Sequence, residues 1–267
     1  RGARESFRCM ITGNQNIGKT TFACHMTGNI KYTADMMNKK NGLPSRSIIH
    51  ICSTEGGMDI SEIIKNTGVS NDAVNKGEIV FHEVNKMTTE YFVDLIKSIH
   101  KEKMENKANY KHIGKTVYGN MKTSLTPTIV MLDSISMLFP AELKGKPVTN
   151  MIAAQQNKDN GYYMELINSL LMEANIMVFF IMHISKSIST SMTDKPQRVY
   201  QNIKADINIS GGKKVQYICD CGIFLNKIVA HDDRKDNIRS EMGLDDEYLM
   251  NAIEVNFFKN RCGGSTA

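Results

Sequence analysis

The residues most able to do chemistry in this chain form one short run. Gly13-Asn14-Gln15-Asn16-Ile17-Gly18-Lys19-Thr20 is a complete G-x-x-x-x-G-K-[ST] sequence, continued by Thr21. Glycines at both ends let the backbone wrap so that successive N–H groups point at phosphate oxygens, and a helix opening behind them adds its positive end. Lys19 has the reach for the β- and γ-phosphates of ATP, and the Thr20 hydroxyl is placed to ligate Mg2+. The apolar, β-branched run Phe7–Ile11 in front reads as a strand and the residues behind as a helix, which is the context such a loop needs. A second Gly-Lys-Thr at 114–116 is a decoy: position 109 is Asn, and no apolar strand precedes it.

Chemistry at a nucleoside triphosphate needs further groups. Asp133 closes Thr128-Ile129-Val130-Met131-Leu132 and so falls at the carboxyl end of a strand, where open α/β sheets bind ligands and where an acid would help hold Mg2+. Glu55 follows the strand Ser47–Cys52; if that strand neighbours the phosphate-loop strand, Glu55 emerges beside the γ-phosphate as base or orienting group for water. Alone it reads equally as a solvated loop acid or a helix cap. His183 ends the run Ile176–Met182 and suits a γ-phosphate sensor, although a histidine at a strand end is more often structural. Lys259 and Arg261 lie two apart on an extended segment and project to one side: either an exposed basic end, or fingers reaching a neighbouring subunit's γ-phosphate.

The elements that must position these residues alternate. Strands are expected at Phe7–Ile11, Ser47–Cys52, Ile79–Val84, Thr128–Leu132, Ile176–Met182, Tyr217–Ile228 and Ala252–Phe258. Helical spacing joins Phe92, Leu95, Ile96 and Ile99, and again Tyr163, Leu166, Ile167, Leu170, Leu171 and Ala174. The fold class is therefore α/β, a mostly parallel central sheet with helices on both faces, in a single domain over residues 1–267. At 267 residues, 41% hydrophobic and 23% charged, the chain has the make-up of an ordinary globular domain. No apolar run approaches the roughly 20 residues a membrane-spanning helix needs, so no membrane partner is expected. The net charge of +5 permits a nucleic-acid partner without demanding one. Cysteines at 9, 24, 52, 219, 221 and 262 contain no C-x-x-C pair and read as reduced thiols of a cytoplasmic protein. The start at Arg1 has no secretory pattern and no Met, so a missing piece in front is expected.

Three stretches break the rhythm and read as long loops or insertions where a partner would bind: the basic Lys101–Pro127 with Lys101, Lys103, Lys107, Lys111, Lys115 and Lys122, then Pro140–Asn160, then Lys186–Gly212.

Taken in order, these residues resemble the RecA-like ATPase family: phosphate loop 13–20, strand plus Glu55, Asp133-Ser134, strand plus His183, a long loop to Gly211-Gly212, and a last strand with Lys259-Asn260-Arg261. Within it, Asp133-Ser134, His183 and Gly211-Gly212 before Tyr217 are most similar to phage UvsX/RecA-type recombinases. That resemblance implies a single-stranded-DNA-binding recombinase that forms helical filaments, pairs homologous strands and hydrolyses ATP at subunit interfaces, as a phage protein in the host cytoplasm or a cytosolic one. It also makes Pro140–Asn160 and Lys186–Gly212 the DNA loops, with Lys144, Lys146, Lys158, Lys186, Lys195, Arg198 and Lys204 meeting phosphates. The chain departs from the pattern in having no polymerisation segment before Arg1, a basic insertion at 101–127 and only Tyr200 for base stacking. The alternative is the ATPase motor of a hexameric replicative helicase of the DnaB or phage primase–helicase type, which Lys259-Asn260-Arg261-Cys262-Gly263 resembles well. A regulatory ATP-binding module that binds no DNA is a third reading.

Overall fold

The computed structural model describes residues 5–54, 59–115, 119–145, 147, 149–186, 207–227 and 253–261. Short β-branched runs flanked by turn residues become the strands β1 (Arg8–Gly13), β2 (Ile48–Ser53), β3 (Ile79–His82), β6 (Thr128–Asp133), β7 (Ile176–Lys186) and β9 (Cys221–Lys227). All run parallel, in the order β9-β1-β7-β6-β2-β3. The antiparallel β10 (Ile253–Asn260) adds to the β9 edge, and the short β8 (Ile207–Ile209) pairs antiparallel with the end of β7. The mostly parallel α/β expectation holds.

Alternate residues of each strand enter opposite cores, as the two-residue period requires. Cys9, Ile11, Ile49, Ile51, Ile129 and Met131 pack on one side with Ala23 and Cys24 of α1 (Lys19–Lys40) and Ile63 of α2 (Ile60–Thr67). Val130, Leu132, Val178 and Phe180 pack on the other with Phe92 and Ile96 of α4 (Thr89–Glu105) and with Met164, Ile167 and Leu171 of α5 (Asn150–Glu173). Between α2 and β3 lies the short α3 (Asn71–Asn75). The five described cysteines are buried, and none of them is in a disulfide.

Several expected boundaries move. Residues 150–160, expected as loop, are the first turns of α5, whose Thr149 hydroxyl caps Ile152 N–H at 3.3 Å. Tyr217–Ile228 divides into α6 (Lys213–Ile218) and β9, because Asp220 turns the chain to pair with Arg8. In the stretch 101–127, residues 101–105 complete α4, and β4 (Lys111–Lys115) and β5 (Met121–Leu125) form an antiparallel hairpin. Lys103 is not part of a basic surface. It is 1% exposed and donates to Thr126 O at 2.6 Å and Thr128 Oγ1 at 3.2 Å.

On the α4/α5 face, His50 Nδ1 and His82 Nε2 are 3.0 Å apart, and His82 Nδ1 is 3.1 Å from the Tyr91 hydroxyl. Burial first, then the neighbouring His82 and Lys103, push His50 down to about 4; burial also lowers His82. A group held neutral in the folded state stabilises it above the unfolded pKa, and that stability is lost as pH falls from about 6.5 towards the folded value. We expect about 2 kcal/mol of His50-dependent destabilisation on going from neutral pH to about pH 5. Thermal melts of wild type and His50→Gln across that range check it. A variant that loses stability as steeply as wild type would remove His50 from the acid response.

Candidate functional site

β1, β6 and β7 end at the same edge of the sheet. Gly13 is in register with His183 of β7 and Leu225 of β9, and Asp133 with Ser53 of β2 and Ile181 of β7. The phosphate loop leaves β1 at Gly13, and Gly18 precedes α1 in the left-handed region, at φ 84°. A Cβ at Gly13 would sit 2.4 Å from Leu225 O, so only glycine lets β1 turn there beside β9. Asn14, Gln15 and Asn16 are exposed, Ile17 anchors the loop in the core, and Thr21 faces out from the first turn of α1.

Lys19 is buried with its ammonium inside the loop, donating to Asn14 O at 2.7 Å and Gly13 O at 3.2 Å. Thr20 Oγ1 donates to Asp133 Oδ2 at 2.6 Å. A hydroxyl and a carboxylate so juxtaposed are oxygen groups that could together hold a hard divalent cation. Mg2+ is typically bound by one or two such protein ligands together with phosphate oxygens and water. Among the described residues no group of three or more His, Cys, Asp or Glu could hold a metal ion.

Glu55 lies outside the described residues, but its predecessor is well placed. Thr54 N donates to Asp133 O at 2.7 Å, and the Thr54 hydroxyl bonds both Ser134 N and Ser134 O at 2.9 Å. The premise behind Glu55 needs correction: β2 does not neighbour β1, since β7 and β6 lie between them.

His183 sits one strand from Gly13. Its N–H donates to Ser136 Oγ at 3.2 Å, and its carbonyl accepts from Ser210 N at 2.9 Å and Ser210 Oγ at 2.6 Å. Ser136 and Ser210 are themselves 2.6 Å apart, and Gln156 of α5 donates to Ser136 O at 3.0 Å. Sequence reasoning missed these residues; the repeated serine in Asp133-Ser134-Ile135-Ser136 was the available signal.

Lys259 and Arg261 are not brought to this loop. β10 runs antiparallel, so Lys259 pairs with Gly222, roughly 10 Å down β9 from Leu225. The Lys259 ammonium donates to Tyr217 O at 3.0 Å and also to Gln216 O, the last carbonyls of α6. Burial, then the charge of Arg261, lowers its pKa. Arg261 is exposed, and its N–H donates to Asp220 O at 2.7 Å.

Of the lysines expected on DNA, Lys144 is exposed and donates to Asn85 O, Lys158 is exposed on α5, and Lys186 ends β7. Lys146, Lys195, Arg198 and Lys204 lie outside the described residues. No described helix is long and apolar enough to cross a membrane.

No protein-family model matches the chain, and no curated protein matches it by sequence. Solved structures do. One of them, solved as an ATPase domain, aligns at 14% identity and TM-score 0.54, covering 98% of this chain and 80% of that one. The fold is RecA-like. A second match, a DnaB-like replicative helicase solved for its interactions with primase, aligns at 14% identity and TM-score 0.51, covering 98% of this chain. This chain spans 54% of that helicase. These neighbours overturn the recombinase reading in favour of its alternative, since the solved structures the chain resembles in space are that ATPase domain and a DnaB-like replicative helicase. Phosphate loop, Asp133 and His183 are common to both readings, which is why the sequence order alone favoured the wrong branch.

Proposed function

We propose that the chain is the ATPase motor of a ring-forming DNA helicase of the DnaB-like type. What supports this is the likeness in fold to a DnaB-like replicative helicase, together with a site split across the sheet. The phosphate loop, Asp133 and the end of β2 gather at one edge of the strands, while Lys259 and Arg261 emerge towards the other. If Lys259 and Arg261 are finger residues, their place away from the subunit's own loop favours action on a neighbour's phosphates. A closed ring would supply one such neighbour to each site.

At such a site the loop backbone and residues 13–21 would hold the phosphates of ATP, with Lys19 on the β- and γ-phosphates. Thr20 and Asp133 would hold Mg2+, which neutralises charge on those oxygens. Glu55 takes a proton from the attacking water as its oxygen bonds to the γ-phosphorus. The bond to the β–γ bridging oxygen breaks, and ADP and phosphate leave. His183 reports the γ-phosphate to the segment beyond β7, and Lys144, Lys158 and the lysines of 186–212 meet single-stranded DNA. The proposed setting is cytoplasmic DNA replication.

The test is negative-stain microscopy of the protein with single-stranded DNA and a slowly hydrolysed ATP analogue, followed by a directional unwinding assay. Closed rings with ATP-dependent unwinding support the proposal. Helical filaments, or turnover indifferent to DNA, would overturn it.

Glu55→Gln is expected to keep nucleotide affinity and lose hydrolysis by about two to four orders of magnitude, because binding rests on the loop and Lys19 while Glu55 acts on water. Arg261→Ala is expected to be inactive alone, yet to recover part of its activity when mixed with Glu55→Gln, since a hybrid interface joins a good finger to a good base. Turnover by Glu55→Gln alone, or no recovery at any mixing ratio, counts against these roles.

A further inference from the structure

The hairpin of β4 and β5 has no place in the ATPase site. It lies at the end of the sheet where β2 and β6 begin, opposite the phosphate loop: β5 leads into β6 through Thr126, whose N–H donates to Tyr110 O at 2.6 Å. None of the described residues of 107–125 belongs to either hydrophobic core. An isolated two-stranded hairpin is marginal in water, so something else must hold this one.

What holds it is a buried polar network. Asn38 of α1, fully buried, donates to Ser45 O and Ser45 Oγ at 3.0 Å, and its Oδ1 is 2.6 Å from His112 Nδ1 of β4. Ser45 Oγ donates to Lys111 O at 2.6 Å, and Thr126 Oγ1 to Ser45 Oγ at 2.9 Å. Asn41, capping α1, donates to Ile113 O at 3.2 Å, and the buried Lys103 donates to Thr126 O. Buried polar groups with every partner in place fix orientation, and each is costly to disturb. His112 faces α1, so Lys111, Lys115 and Met121 share the outer face by strand alternation.

That rigid outer face is basic. Lys111 and Lys115 are exposed, and Lys107 precedes them in the same connection. Lys39 and Lys40 end α1 beside the Asn41 contact to the hairpin. Among the described residues none of these lysines has an ion-pair partner, while nearby acids are engaged: Glu5 with Lys122, Asp35 with Lys31, and Glu105 with Lys101. Local repulsion among uncompensated ammonium groups is relieved by a polyanion.

We propose that the β4–β5 hairpin and the end of α1 form a second nucleic-acid contact, a sequence-blind phosphate-backbone surface at the opposite end of the sheet from the ATPase site. It rests on the hairpin's own placement and charge, and its binding test needs no ATP.

The experiment is anisotropy of a labelled thymidine oligonucleotide titrated with the full chain, without ATP, over a range of KCl. Wild type is compared with Lys111→Glu/Lys115→Glu and with the milder Lys111→Gln/Lys115→Gln; Lys158→Glu on α5 serves as a control at the proposed motor contact. The glutamine variant is expected to bind roughly tenfold more weakly at low salt. Its dependence of log affinity on log salt should be shallower by about 1.4, at about 0.7 for each phosphate no longer neutralised. Basal ATP turnover should be unchanged in both hairpin variants, whereas Lys158→Glu should blunt DNA-stimulated turnover. Unchanged affinity and slope in both hairpin variants would overturn the proposal. So would loss of binding to polyglutamate with DNA binding intact, which would make the surface a site for an acidic protein.

Discussion

Lys19→Ala is expected to abolish ATP turnover, with kcat/KM falling by about three orders of magnitude or more, the scale set by removing a preorganised charge from a transition state. The Lys19 ammonium is already held inside the phosphate loop by Gly13 O and Asn14 O. Arriving phosphates therefore exchange two neutral acceptors for charged ones without a search by a flexible side chain. Lys19→Arg is expected to fail as well, because a planar guanidinium needs more room than a buried ammonium tucked under two carbonyls. Loss of binding shows independently of turnover: nucleotide raises the melting temperature of wild type by mass action, and the variants should lose that shift. Turnover within tenfold of wild type in Lys19→Ala would remove this loop from the chemistry.

How much of this was legible depended on which physical signal each residue carries. The turn at Gly13–Gly18, the helix behind it and the parallel strands were readable because glycine spacing and apolar runs record backbone conformation and burial directly. The start of α5 was not, because Gln156 and Asn160 face inward, where they donate to Ser136 O and Leu138 O. Buried amides carry no hydrophobic periodicity, so a helix with a polar inner face reads as loop. The hairpin of β4 and β5 was hidden for the same reason: its docking partners are Asn38, Ser45 and Thr126 rather than apolar side chains. Lys103 read as one more surface charge because nothing in its sequence neighbourhood records the carbonyls that receive it.

The neighbour relations of strands were the other blind spot. Glu55 was placed by assuming β2 beside β1, whereas the chain crosses over two strand positions that β6 and β7 fill later. The split between the phosphate loop and Lys259 likewise depends on β10 running antiparallel, which a lone strand pattern does not encode. Recombinase and helicase share the ordered motifs and differ in surfaces that meet other subunits. Those surfaces are the least constrained by folding, so the branch was chosen wrongly while the fold class was not.

Asp220→Ala is expected to cost about 3–5 kcal/mol of stability, the penalty for stranding one member of a buried ion pair. The Asp220 carboxylate is 1% exposed and receives Arg8 Nε at 2.9 Å and Nη2 at 3.0 Å, a two-pronged match, as well as Arg8 N–H at 3.2 Å. Without it, the Arg8 guanidinium stays buried with the neutral Asn168 amide as side-chain partner. For a chain of this size the melting temperature should fall by roughly 10 °C. Arg8→Met combined with Asp220→Leu removes both charges and is expected to recover most of the loss, because the desolvation cost of the pair disappears with it. A double variant no more stable than Asp220→Ala would show that geometry, not charge, is what the pair supplies. The pair matters beyond stability because of where it stands. Asp220 N–H donates to Arg8 O, and Asp220 O accepts the Arg261 N–H, each at 2.7 Å, so the start of β1, the start of β9 and the end of β10 meet at one residue. The double variant keeps those backbone bonds and should still present Arg261 to a neighbour. Its own ATP turnover, and its rescue of Arg261→Ala subunits that keep Glu55 but lack a finger, then separate a fold held by charge from an interface held by main chain.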